Sequence, residues 1–227
     1  MVTTQRFSIR SRSYDIHPHM LHRVLHSRLH RIRLLSVLIF GLIFGLSSNN
    51  AFADSQAETA ASNAPRDAME HFFHQSFNDL HEELEISADE GKKGVFIMFS
   101  DKDCPWCAKM KANIMNQAVV QDYYRKHFRI LTVDIRGDAM IVDFEGNEIS
   151  EKDFSFKKHR VRATPVMMFF DNSGKKVTRF TGVVRDVNEF LWLGEYVVSG
   201  AYQKMNFTKY KRNRKKQEQQ LSLRSSS

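Results

Sequence analysis

The chain has 227 residues, 42% of them apolar, and a formal net charge of +8. That charge sits at the ends: residues 1–33 hold seven Arg and one acid, and residues 204–227 hold eight Lys or Arg and one Glu, which leaves residues 54–203 with 19 basic and 24 acidic side chains. A body that is net acidic and has no basic stripe argues against nucleic acid as a partner, and two cysteines are too few for a disulfide framework. The chain opens with the basic segment, an apolar run at 34–46 (LLSVLIFGLIFGL) and the small-residue site Ala51-Phe52-Ala53. Basic, apolar, small is the order of a secretory signal peptide, so residues 1–53 are expected to be cleaved and the mature protein to be exported. The alternative is a membrane anchor at 34–46, although the run is shorter than the ~20 apolar residues that span a bilayer. Met20 is an alternative start within the long basic region.

Residues 54–63 (DSQAETAASN) are small and polar and read as a linker. From Ala64 to Ile86 one helical face collects Met69, Phe72, Phe73, Phe77, Leu80 and Leu84, which predicts one N-terminal helix. Gly91 to Gly94 ends it, and Val95 to Phe99 reads as a buried strand. Asp101 to Asp103 form a turn, and a helix starts at Cys104 with Pro105 in its first position, where a missing N–H costs nothing. That helix runs to about Met115, and a second follows with Val120, Tyr124 and Phe128 in step. Arg129 to Ile135 is the next strand, residues 136–150 a loop or small hairpin, and Glu151 to His159 a short helix. Val166 to Phe170 and Lys175 to Thr181 form a strand pair around the turn at 171–174. Asp186 or Asn188 caps a last helix that buries Phe190, Leu193 and Val197. Beyond Tyr202, Phe207 and Tyr210 are candidates to dock, and the rest of the basic tail, 204–227, is expected to be disordered and solvated, with a membrane surface as the other option. This order predicts an α/β domain over 64–203, a mixed sheet with helices on both faces.

Cys104-Pro105-Trp106-Cys107 holds the only two cysteines. A bridge between them closes a very small loop and constrains the unfolded chain little, so the pair reads as chemistry rather than as a staple. A zinc half-site is the alternative. Structural zinc takes four Cys or His ligands, and His71 and His74 lie on a helix that reads as a cover, so neither a metal nor a cofactor is expected. The histidines read as surface residues, and the Phe and Met stripes as core. Asn206-Phe207-Thr208 matches a glycosylation pattern.

The order of elements, the Cys-x-x-Cys after an apolar strand, Thr164-Pro165 before the strand pair and Gly182 after it resemble the thioredoxin fold, from about Gly94 to Ser199. A narrower set of residues is similar to the SoxW-type periplasmic thioredoxins of the sulfur-oxidation system. It comprises Ile135-Arg-Gly-Asp138, Val142-Asp-Phe-Glu-Gly146, Glu151-Lys152, Val161-Arg-Ala-Thr-Pro165, Phe169-Phe-Asp171 and the run from Tyr196 to Tyr202. The insert at 136–150 is absent from ordinary thioredoxin. Two departures stand out. Pro-Trp lies between the cysteines where thioredoxin has Gly-Pro, and Met98 stands where thioredoxin buries an Asp.

The resemblance implies a thiol–disulfide oxidoreductase that reduces disulfides in partner proteins and is recharged by a membrane thiol transporter. Cys104 is then the attacking cysteine. Its place at a helix N-terminus favours the thiolate; Lys102 adds to this, whereas Asp101 and Asp103 oppose it. Cys107, one turn inside, resolves. Trp106 either packs against substrate or covers a core edge. Pro165 is expected to be cis, with Thr164 offering its backbone to a substrate strand, or else an ordinary trans proline. The rival readings are a disulfide-donating oxidase and a non-catalytic binding module; direction depends on which redox form is more stable. A monomer suffices for all of them.

Overall fold

Val95–Ser100 (β1) and Val166–Phe170 (β5) are apolar on both faces because both faces are covered; every residue of each strand is buried. In the computed structural model, which describes residues 64–225, they are the two central strands of a four-stranded sheet. Arg129–Asp134 (β2) lies parallel to β1, with Val95 opposite Arg129, and forms one edge. β5 runs antiparallel to β1, with Phe99 opposite Val166, and Lys176–Thr181 (β6) pairs antiparallel with β5 at the other edge. The expected signal peptide, its apolar run and the linker lie outside the described residues. Gly94, at φ +139°, opens β1 where a Cβ would collide with the Phe170 carbonyl.

Alternate side chains of the strands feed two cores. Phe96, Met98, Ile130, Met167 and Phe169 pack on one face beneath Ala118–His127 (α4) and Val187–Val198 (α6). There the Tyr124 and Phe190 rings stack at 4.3 Å, and the Tyr124 hydroxyl donates to the Phe190 carbonyl at 2.7 Å. Val95, Ile97, Phe99, Met168 and Phe170 pack on the other face with Leu80, Leu84 and Phe154.

The single N-terminal helix predicted over 64–86 is corrected to two. Asp67 caps Ala68–His71 (α1), and Asp79 caps Leu80–Asp89 (α2) by accepting the Glu82 N–H at 2.9 Å. Between them the chain lies along the outer edge of β2. His74 N–H donates to the Ile130 carbonyl at 2.8 Å, and His74 Nδ1 accepts the Ile130 N–H at 2.9 Å. Asn78 then takes φ 64°, which no helix continues through. Phe77, although in step with the core positions, is 96% exposed, and Met69 is also exposed.

Pro105–Met110 (α3) continues as a wide π turn over Lys111–Met115. Residues 136–150 contain a small hairpin, Met140–Val142 (β3) against Glu148–Ser150 (β4), and lead into Glu151–Asp153 (α5) with a π turn over Phe154–Lys158. The expectation of a disordered tail is also corrected: Phe207–Ser225 (α7) is a helix. Phe207 and Tyr210 pack on Tyr196, and Lys211 and Arg214 pair with Glu189 and Glu195 of α6. Those partners give the first turns of the tail a docked face that its charge alone does not suggest.

Candidate functional site

The turn after β1 is built by Asp101. Its Oδ1 accepts the Asp103 N–H at 3.0 Å and its carbonyl accepts the Cys104 N–H at 3.1 Å. This presents Cys104 in an extended conformation (φ −87°, ψ 105°) as the N-cap of α3, with Pro105 in the first position. The cap acceptor is sulfur: Cys104 Sγ receives the Cys107 N–H at 3.1 Å. The two cysteines are joined as a disulfide, with their Cα atoms 5.3 Å apart. Cys104 is half-buried, while Cys107 is 2% exposed and packs in the core with Met110.

Around the pair, Trp106 is 55% exposed, with the Lys109 ammonium 5.7 Å from its ring centre. The indole beside Cys104 faces solvent and does not cover a core edge. Asp101 is nearly buried and pairs with Arg136 at 2.8 Å, so this acid brings its own counter-charge. Arg136 comes from the insert, and composition gave no sign of this pairing. Met98 is wholly buried in the core. The Thr164–Pro165 peptide bond is cis, and the Pro165 carbonyl accepts the Gly182 N–H at 2.9 Å. Because Val166 pairs with Phe99, these two residues leave the sheet at the same end as the turn that carries Cys104.

A cleft of about 340 Å³ opens beside the disulfide, lined among others by Cys104, Cys107, Lys111, Asp134 and Glu151. Burial lowers the pKa of Lys111 below the usual lysine range and raises that of Glu151 above 4.5. The cleft residues come from three stretches of chain, 100–111, 132–134 and 151, so sequence spacing carried no signal for Asp134 or Glu151. The histidines stand apart: His74 is spent on the β2 edge, and His81 Nδ1 lies 3.2 Å from the Phe144 carbonyl. Among the described residues, no group of three or more His, Cys, Asp or Glu gathers as a metal centre, and no helix is long and apolar enough to cross a membrane.

A sheet of this order, with a cysteine pair at a helix start beyond its first strand, defines a thioredoxin-type fold. The chain belongs to the thioredoxin-like domain family, whose model matches residues 80–198. Among solved structures it is similar to a thioredoxin-fold protein from Helicobacter pylori. The two share 21% identity at a TM-score of 0.53, over 71% of this chain and 98% of that one. A thioredoxin from Thermus thermophilus shares 22% identity at a TM-score of 0.41, over 52% and 82% of the two chains. The C-terminal domain of DsbD from Neisseria meningitidis, in its reduced form, shares 18% at 0.38, over 50% and 88%. The likeness to the Helicobacter pylori protein is one of fold alone. No curated protein matches the chain.

Proposed function

We propose that this protein is a periplasmic thiol–disulfide oxidoreductase working as a reductase. The observation that carries the reading is the asymmetry of the pair: Cys104 is half-buried at a helix start, and Cys107 is buried one turn behind it with its N–H aimed at Cys104 Sγ. An accessible sulfur suits attack on a partner, and a shielded one beside it suits resolution.

In the reduced protein, Cys104 thiolate attacks one sulfur of a partner disulfide. The partner's S–S bond breaks, one partner thiolate leaves, and a Cys104–partner disulfide forms. Cys107 loses its proton and attacks Cys104 Sγ; the mixed disulfide breaks and the second partner thiolate leaves. Two electrons have passed to the partner, and Cys104–Cys107 is oxidised. A membrane thiol transporter then re-reduces it. Helix-terminal N–H groups and the α3 dipole stabilise the Cys104 thiolate. Exposed Trp106 provides an apolar contact for the partner, and Thr164 and Pro165 border its approach.

Export by residues 1–53 places this chemistry in the periplasm, where disulfides persist. The residue runs at 135–146 and 196–202 support a narrower place among SoxW-type thioredoxins serving sulfur-compound oxidation. Insulin reduction driven by dithiothreitol tests the core of the reading: the wild type accelerates it, and Cys104→Ser falls to background. Cys107→Ser should instead accumulate mixed disulfides with insulin. Unchanged turnover in Cys104→Ser removes the reading.

A further inference from the structure

On the reading that Cys107 resolves a mixed disulfide, its thiol must lose a proton first, because the thiolate is the nucleophile. Cys107 is 2% exposed, and apolar burial holds a thiol's proton more tightly. A proton acceptor therefore has to reach it through the cleft. Three carboxylates line that cleft. Asp101 is committed to Arg136 and to the Asp103 N–H. Asp134 accepts the Arg136 N–H at 2.9 Å across its own turn. Asp134 and Glu151 both lack a cation partner among the described residues, and burial raises the carboxyl of Glu151.

Glu151 is also held for the purpose. Its N–H donates to the Ala139 carbonyl at 2.9 Å, and the next N–H, of Lys152, donates to the Gly137 carbonyl at 3.0 Å. The carboxylate occupies the space that a side chain on Gly137 would fill: a Cβ there would collide with Oε2. Oε1 accepts the Asp134 N–H at 3.1 Å, which leaves Oε2 unbonded. We propose that Glu151, delivered by the insert at 136–150, is the proton acceptor that activates Cys107 across the cleft.

Its ionisation suits the task. Burial raises the carboxyl above 4.5, the Asp134 N–H pulls it back, and the Asp134 charge pushes it up. The other groups facing the cleft are Lys102 and Lys111; on the segment of Glu151 itself, Lys152 and Asp153 are engaged by Asp138 and Lys157. In the step, the Cys107 S–H bond breaks and its proton passes to the Glu151 carboxylate. The thiolate attacks Cys104 Sγ, and the partner sulfur departs with the electron pair of the broken bond. Glu151 later returns the proton to solvent.

The test is stopped-flow reaction of the reduced protein with 5,5′-dithiobis(2-nitrobenzoate) between pH 4.5 and 8. The first thionitrobenzoate reports attack by Cys104 and the second reports resolution by Cys107. In the wild type the second phase should rise through a carboxylate inflection. Glu151→Gln should lose that inflection and slow the second phase about 100-fold above it, where the wild-type carboxylate is ionised and Cys107 still holds its proton, the lower range for a lost general base, with the first phase and the circular dichroism spectrum unchanged. Gly137→Ala, which displaces the carboxylate and leaves it chemically intact, should slow the same phase. A second phase with wild-type rate and profile in Glu151→Gln overturns the proposal, as does an inflection lost in Lys111→Met instead. A wild type that stops after one equivalent overturns both the proposal and the oxidoreductase reading beneath it.

Discussion

Tyr124 is wholly buried and donates its hydroxyl to the Phe190 carbonyl. Tyr124→Phe removes that buried hydrogen bond, so urea unfolding should show a loss of about 0.5–1.5 kcal/mol; no loss would mean the bond contributes nothing net. Two histidines make a sharper statement. His74 is pushed down to about 3 by burial and by Arg129, Arg125 and Lys92, and its Nδ1 already accepts the Ile130 N–H. His159 is pushed down to about 4, chiefly by burial among Phe99, Phe154 and Phe170, with Nε2 unpartnered. Both folded values lie below the unfolded value of 6.5, so the neutral rings contribute stability above pH 6.5 that is lost as pH falls toward 4 and 3. Each contributes a limiting slope of about 1.4 kcal/mol per pH unit. The urea midpoint should fall between pH 6.5 and 5, before most carboxylates titrate, and fall less in His74→Gln. A flat midpoint over that window would contradict the assignment.

At the scale of elements, α7 decides how the last third of the chain is held. Its first turns cover Tyr196 and supply Lys211 to Glu189, which is 4% exposed. Truncation after Asn206 should lower the thermal midpoint while the sheet signal in circular dichroism persists; an unchanged midpoint would mean that α7 is only laid against the domain. This helix was illegible in the sequence because eight cations in the tail read as a solvated chain, and the carboxylates that dock two of them lie on α6. The break at 72–79 was illegible for a related reason. Phe77 keeps helical step with Phe73 and Leu80, but the open edge of β2 competes for the same backbone and takes it through His74. The central strands, Asp186 as the α6 cap and Cys104 as the α3 cap were legible, since a buried run or a cap carries its cause within a few residues. Capping by Asp79 is equally local, and Asp79→Ala should cost about 1 kcal/mol, read from the urea midpoint.

At the scale of the molecule, the sheet order brings three connections to one end: the turn after β1, the segment after β2 and the Thr164–Pro165 approach to β5. The first carries the cysteines, the second leads through the insert to Glu151, and the third carries the cis Thr164–Pro165 bond. The cysteine motif could be read from four adjacent letters. The cleft could not, because its walls, at 100–111, 132–134 and 151, are 17 to 51 residues apart in the chain and meet only in the fold. The direction of electron flow belongs to this scale too, since it depends on the relative stability of the oxidised and reduced whole. The reduction potential of Cys104–Cys107, measured by equilibration of the purified protein with dithiothreitol or glutathione, tests the reductase reading most directly. A value near that of thioredoxin, about −270 mV, is expected; a value near that of the strong periplasmic oxidants, about −120 mV, would contradict it and make the protein a disulfide donor.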